Sequence, residues 1–185
     1  MEIIPTNIPD ILILRPRLFG DARGYFMETY QKQRFAEMAG ITVDFVQDNH
    51  SGSRRGTLRG LHYQVQHTQA KLIWVVVGEI FDVAVDLRRS SPTFGRWTGV
   101  WLSAENMRQI WIPPGFAHGY YVLSDWAQMV YKASDTYAPH WERTLLWNDP
   151  ALGIEWPLLP GDGPLLSEKD RLGKPLAQAE IFEDL

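Results

Sequence analysis

From about Leu58 to Ser134 the chain is a succession of short β-type runs: TLRGLHYQ, KLIWVVV, IFDVAVDLR, WTGVWLS, RQIWIP, HGYYVLS and QMVYKAS. Turn-like clusters such as SSPTFG and PPGF separate them, and strands so closely spaced leave no room for long helices. The pattern predicts an all-β fold. In IFDVAVDLR, Phe81, Val83, Val85 and Leu87 alternate with Asp82, Ala84, Asp86 and Arg88, a period of two that gives the sheet two chemically different faces. Earlier, GYFMETY reads as another strand and QKQRFAEMAG as one short helix stopped at Gly40. After Trp147 the sequence turns rich in Pro, Gly and Asp, which predicts an irregular wrap over 148–185 ending in at most a short helix. Ser167 and Asp170 form a capping-box-like start for that helix. With no linker and no internal repeat, residues 1–185 read as one domain. Many short antiparallel strands fit a β-sandwich or a jelly roll, and a jelly roll has an open mouth suited to a ligand.

A chain of 185 residues buries roughly 70% of its unfolded surface, enough to need no disulfide or structural metal. Its complete lack of cysteine removes thiolate catalysis, iron–sulfur clusters and cysteine zinc sites, and fits a reducing compartment. The longest fully apolar run, Leu72 to Val77, is far short of the ~20 residues of a membrane span. The start MEIIPTNIPD lacks a basic leader before an apolar stretch, so a cytoplasmic protein without membrane partners is expected. The net charge of −4 argues against nucleic-acid binding. Yet 13 of the 18 bases are arginine and most lie in the first half, and the planar guanidinium suits bidentate recognition of phosphate or carboxylate. A small anionic ligand is compatible with the acidic total.

The densest polar segment is QDNHSGSRRGTLRGLHYQ, Gln47 to Gln64, which reads as one loop-and-strand unit. Strict alternation puts Leu58, Gly60, His62 and Gln64 on one face and Arg59, Leu61 and Tyr63 on the other; a bulge at Gly60 would bring Arg59 round. A lone strand histidine is ordinarily a satisfied half-buried ring. Here Lys71 and His118 converge on the same barrel interior, which favours function. His118 follows the turn Pro113-Pro114-Gly115-Phe116-Ala117 at the start of a strand. Cupin metal sites resemble this turn, but pair it with two histidines one residue apart on an earlier strand. That strand here reads His62-Tyr63-Gln64, and two imidazoles with a neutral amide make a poor set for zinc or iron; no metal is expected. Tyr131, followed by Tyr137, Trp141 and Glu142, is a core tyrosine on its own, and becomes an acid if it faces a histidine across a cavity. Lys169 and Asp170 read as part of a surface charge run.

Together these pieces resemble the dTDP-4-dehydrorhamnose 3,5-epimerase family. The similarity runs through FGDARGYFMETY, FVQDNHSGS, LRGLHYQ, QAKL, GEIFDVAVDLRRSSPTFGRW, LSAEN, WIPPGFAHG, YKASDTYAP, LWNDPALGIEWP and LSEKD, in that order. The resemblance implies a cupin-type jelly roll, or double-stranded β-helix, with one or two short helices and no cofactor. It implies a homodimer with strand exchange, the segment of about 1–50 contributing to the interface. The implied substrate is dTDP-4-keto-6-deoxy-glucose, inverted at C3 and C5 on the way to dTDP-L-rhamnose. It also implies that His62 is the base, held by Asp170, that Tyr131 is the acid, and that Lys71 sits by the C4 oxygen with His118 nearby. Arg23, Phe26 and Glu28 are then lent to the partner's site, and Gln47, Asp48, Asn49, Arg59, Tyr137, Glu142 and Lys169 hold nucleotide and sugar. Two departures touch the nucleotide contacts: Trp74 stands where members often carry a basic residue, and the loop Val65 to Gln69, with His67 in it, is its own. Sugar-nucleotide mono-epimerases and 3,4-ketoisomerases share the scaffold, and a non-catalytic carbohydrate-binding cupin is the alternative of another class.

Overall fold

The computed structural model describes residues 1–161 and 163–183; Asp162, Asp184 and Leu185, inside the 148–185 segment, lie outside the described residues. The first third of the chain forms β1 (Glu2–Pro5), β2 (Leu12–Arg15), β3 (Leu18–Asp21), β4 (Gly24–Met27), helix α1 (Lys32–Ala39) and β5 (Gln47–Arg54). There follow β6 (Leu58–Gln64), β7 (Lys71–Val77), β8 (Glu79–Asp86), β9 (Trp97–Ser103), β10 (Gln109–Ile112), β11 (Phe116–Val122), β12 (Trp126–Ala133), β13 (Glu142–Thr144) and the single-turn helix α2 (Glu168–Arg171). A six-stranded sheet runs β1-β2-β10-β7-β12-β5 and a five-stranded sheet runs β13-β6-β11-β8-β9, while β3 and β4 pair only with each other. All these pairings are antiparallel. The architecture is the expected all-β jelly roll.

Each predicted run between Leu58 and Ser134 is a strand, and α1 ends at Gly40 with φ 68°, the left-handed conformation that glycine adopts without strain. Strands β1 and β2, four residues each, escape the reading. Strand β5 escapes it because QDNHSGSR has no apolar alternation. Its eight residues are held by ladder bonds to the whole of β12, from Gln47 opposite Ala133 to Arg54 opposite Trp126.

Period two divides every inner strand between two packing layers. The inward rows Ile73 and Val75 of β7, Ala84 of β8, Tyr120 and Val122 of β11 and Met129 of β12 meet in a buried core between the sheets. The outward row of β8, Phe81, Val83, Val85 and Leu87, is also buried, under Leu145, Leu152, Trp156 and Phe182 of the C-terminal segment. On the other sheet Leu72, Trp74 and Trp111 are covered by Phe35 of α1, Tyr30 and Phe45. Aromatic rings pack in these two outer layers through edge-to-face contacts such as Tyr30–Phe35 at 5.0 Å and Phe81–Trp101 at 5.4 Å. With both sheet faces covered, the space between them is free to be partly polar.

Candidate active site

The inward rows turn polar where they reach a cleft of about 810 Å³, lined by both sheets and by residues 165–170. In β7 the row Val75, Ile73 ends on Lys71; in β12 the row Met129 continues to Tyr131. Strand β11 adds His118 and Tyr120, β6 adds Arg59 and His62, and β5 adds Gln47, Asn49 and Ser51.

Arg59 and His62 share the cleft because the ladder slips between them. Strand β11 pairs His118 with His62 but Tyr120 with Arg59, a register shift at the β6–β11 crossing. The crossing is tight: a Cβ on Gly60 would lie 2.6 Å from Gly119 Cα, and one on Gly119 would lie 2.6 Å from the Arg59 carbonyl oxygen. Gly60 takes φ 119°, reserved in practice for glycine. The bulge anticipated there thus exists, and strict alternation, which would have turned Arg59 away, does not hold. The Arg59 guanidinium is steadied by Nε donating to Ser53 Oγ at 3.0 Å.

His62 Nε2 lies 2.6 Å from Asp170 Oδ1, and Asp170 also accepts from Ser167 Oγ at 2.6 Å and Gly60 N at 3.2 Å. Burial alone would raise the Asp170 carboxyl; the bonds from His62, Ser167 and Gly60 overcome it and hold the group below the usual carboxylate range. Asp170 is therefore ionised at neutral pH. With Nε2 bound to it, His62 Nδ1 is the ring's free basic nitrogen. Asp170 is no member of a surface charge run: the capping turn at Ser167 folds its side chain inward until it is almost completely buried.

A second pair lies beside the first, His118 Nε2 and Asp82 Oδ2 at 2.8 Å, with Asp82 fully buried. The Lys71 ammonium has no hydrogen-bond partner among the described residues, and burial pushes it down to about 8 against the pull of Asp82 and Glu142. Tyr131 is raised from its ordinary value, chiefly by burial, and so keeps its proton at neutral pH. At the rim, Lys169 Nζ bonds both Glu142 oxygens at 2.9 and 3.0 Å, and Tyr137 Oη donates to Glu142 Oε2 at 3.1 Å. The buried amide Nδ2 of Asn49 has no partner among the described residues, leaving a donor for a ligand.

Eleven of the sequence candidates converge here: Gln47, Asn49, Arg59, His62, Lys71, His118, Tyr131, Tyr137, Glu142, Lys169 and Asp170. Asp48 is on the opposite face of β5, its carboxylate 2.9 Å from Lys132 Nζ. Arg23, Phe26 and Glu28 are away from this chain's cleft: Arg23 pairs with Asp21 at 2.7 Å, Glu28 with Arg34 at 2.9 Å, and Phe26 is 68% exposed. Gln64, where a second imidazole would stand in a metal cupin, spends its amide on the His67 and Thr136 carbonyls and the Ala138 N–H. It ties the 65–69 loop to the segment carrying Tyr137. Ser51 and Tyr120 line the cleft without having been singled out; period two through Gln47, Asn49 and Ser51 was the available signal for the first.

Residues 5–178 match the family described as dTDP-4-dehydrorhamnose 3,5-epimerase. Among curated proteins, the chain is 59% identical over 182 residues to the dTDP-4-dehydrorhamnose 3,5-epimerase of Pseudomonas aeruginosa, covering 98% of this chain and 99% of that one. Among solved structures, it superimposes with a TM-score of 0.95 at 51% identity on a dTDP-6-deoxy-D-glucose-3,5-epimerase from Legionella pneumophila in complex with dTDP-4-keto-L-rhamnose, over 100% of this chain and 98% of that one. A 3′-monoepimerase from Streptomyces bikiniensis in complex with dTDP-quinovose also matches, at TM-score 0.84 and 37% identity, over 94% of this chain and 87% of that one.

Proposed function

The chain belongs to the dTDP-4-dehydrorhamnose 3,5-epimerase family, and from that premise we propose how its cleft inverts C3 and C5 of dTDP-4-dehydro-6-deoxy-D-glucose to give dTDP-4-dehydro-L-rhamnose. The enzyme is an isomerase. Both hydrogens it moves are α to the C4 ketone, so each leaves as a proton and its electron pair is delocalised onto the C4 oxygen as an enolate. His62 Nδ1 takes the proton, and the ionised Asp170 at Nε2 stabilises the imidazolium that forms. Lys71 meets the enolate oxygen: an ammonium without a competing partner is a preorganised charge for an anion that develops only in the transition state. Tyr131 returns a proton to the opposite face of the carbon, which inverts it. Each inversion leaves His62 one proton richer and Tyr131 one poorer, and exchange with water resets both before the second carbon reacts.

The observation that carries the assignment is the His62–Asp170 pair at 2.6 Å facing the same cleft as Tyr131 and Lys71. Arg59 and Lys169 supply cations for the diphosphate, and Gln47, Asn49, Tyr137 and Glu142 supply polar edges and a ring for the sugar and base. The protein works as a homodimer, with the exposed β3–β4 hairpin and its Arg23, Phe26 and Glu28 seated in the partner's cleft, while residues 1–185 act as one domain. During turnover in heavy water, deuterium enters the product at both C3 and C5. His62→Ala abolishes that exchange; exchange persisting without His62 removes it as the base, and deuterium at one carbon alone identifies a mono-epimerase.

A further inference from the structure

Asp82 takes no part in the chemistry just described, yet it is a carboxylate placed wholly out of contact with solvent. It lies on the inward row of β8 with no solvent exposure, and its Oδ2 accepts from His118 Nε2 at 2.8 Å. Its other oxygen, Oδ1, is buried without any hydrogen-bond partner among the described residues. A half-satisfied buried carboxylate is destabilising, and an uncharged side chain accepting the same bond from His118 would fill the position at lower cost. Lining this space with Lys71 are His118 from β11, His62 from β6, Tyr131 from β12, Glu142 from β13 and Lys169 from α2, while Asp82 of β8 stands behind His118. Both oxygens of Glu142 are engaged by Lys169 and Tyr137, and both of Asp170 by His62, Ser167 and the Gly60 N–H. Asp82 Oδ1 is thus the uncommitted anionic oxygen of the cluster, and Lys71 its uncommitted cation.

We infer that Asp82 is a positioning residue for the epimerisation: through Oδ2 it fixes the His118 ring at the wall of the cleft, and its buried carboxylate supports the Lys71 ammonium that lines the same cleft, so that both side chains are held ready for the substrate's C4 oxygen. The inference rests on the reading that Lys71 serves that oxygen. Burial works against the Lys71 ammonium and the Asp82 charge works for it, so removing the charge leaves a lysine that sheds its proton at lower pH.

The test compares wild type, Asp82→Asn and Asp82→Glu in pH–rate profiles, with dTDP affinity measured by calorimetry. Asp82→Asn lowers kcat by about 100-fold and moves the alkaline limb of kcat down by about one pH unit, while KM and dTDP affinity stay within a factor of about two. Asp82→Glu restores part of kcat and of the limb. Wild-type kcat and an unmoved limb in Asp82→Asn overturn the inference, and so does a joint loss of dTDP affinity and melting temperature, which marks a structural role. Should Asp82→Asn fail to fold, carbon-13 titration of labelled wild-type protein decides: the Asp82 carboxyl signal moves as Lys71 titrates, and an Asp82 signal that does not respond to Lys71 overturns the role. Lys71→Met distinguishes the two failures. Undiminished kcat in Lys71→Met sinks the reading of the site itself, whereas an inactive Lys71→Met beside an unaffected Asp82→Asn sinks the role of Asp82 alone.

Discussion

Lys71 shows most plainly how stability and activity pull against each other at one residue. The folded protein lowers its pKa from 10.5 to about 8, mainly by burial. Below about pH 8 the chain folds at the cost of an inadequately solvated ammonium. Between about 8 and 10.5 the folded state has shed the proton that the unfolded state still binds, so that cost fades and this residue's effect on stability improves as pH rises. Lys71→Met removes the ammonium while keeping the aliphatic stem. At pH 7 it raises the unfolding free energy by about 3 kcal/mol and lowers kcat by roughly 1000-fold. Denaturant unfolding and steady-state rates check both, and a variant that is destabilised at pH 7 contradicts the account. The wild-type rate in turn falls above about pH 8 as Lys71 loses its charge. Asp170 shares that slope, stability rising with pH, but its charged form contributes stability where the Lys71 ammonium costs it. Its folded pKa is depressed, so its contribution is present at neutral pH and is lost as acid protonates it below the ordinary carboxylate range.

At the scale of elements, the β6–β11 crossing decides whether a site exists. Gly60 and Gly119 let two backbones approach so closely that a Cβ on Gly119 would stand 2.6 Å from the Arg59 carbonyl oxygen, and the resulting slip turns Arg59 and His62 to one side. Gly119→Ala forces these strands apart. The expected cost is about 2–3 kcal/mol, read as a melting temperature roughly 5–10 °C lower, together with weaker dTDP binding as Arg59 is displaced. An alanine variant with wild-type stability and affinity shows that the crossing is looser than the geometry states. Much of this was legible in the sequence, since the strands announce themselves by period two and Gly60 marks a bulge. The inward turn of Asp170 was not, because its burial depends on where the irregular chain after Trp147 crosses β6, which no local pattern encodes. Asp82 was visible as one of two aspartates on a face. Which of the two supports the cleft follows from how the sheets are layered: Asp82 meets His118, while Asp86 is consumed by Arg88, Ser91 and Thr93.

For the whole molecule, the unfinished part is the β3–β4 hairpin. It pairs with neither large sheet, and Leu18, Phe19, Tyr25 and Phe26 are 47%, 51%, 61% and 68% exposed. A two-stranded hairpin carrying that much apolar surface into water is marginal by itself. In the homodimer proposed above, seating it on a second copy would bury those rings and bring Arg23 to an anionic ligand in the neighbour's cleft. Each site would then be a composite of two chains, which a complementation experiment reads directly. Arg23→Ala/Phe26→Ala spoils only the hairpin and His62→Ala spoils only the cleft, so each homodimer is inactive or nearly so. Co-expressed in equal amounts, half of the dimers are mixed, and each mixed dimer holds one cleft with an intact His62 facing an intact hairpin. Activity then recovers to about a quarter of wild type by this counting for an isologous pair. If the hairpin served its own chain's cleft instead, mixing the two variants would add nothing to the sum of the parents. A size measurement confirming that mixed dimers had formed makes that outcome decisive against strand exchange.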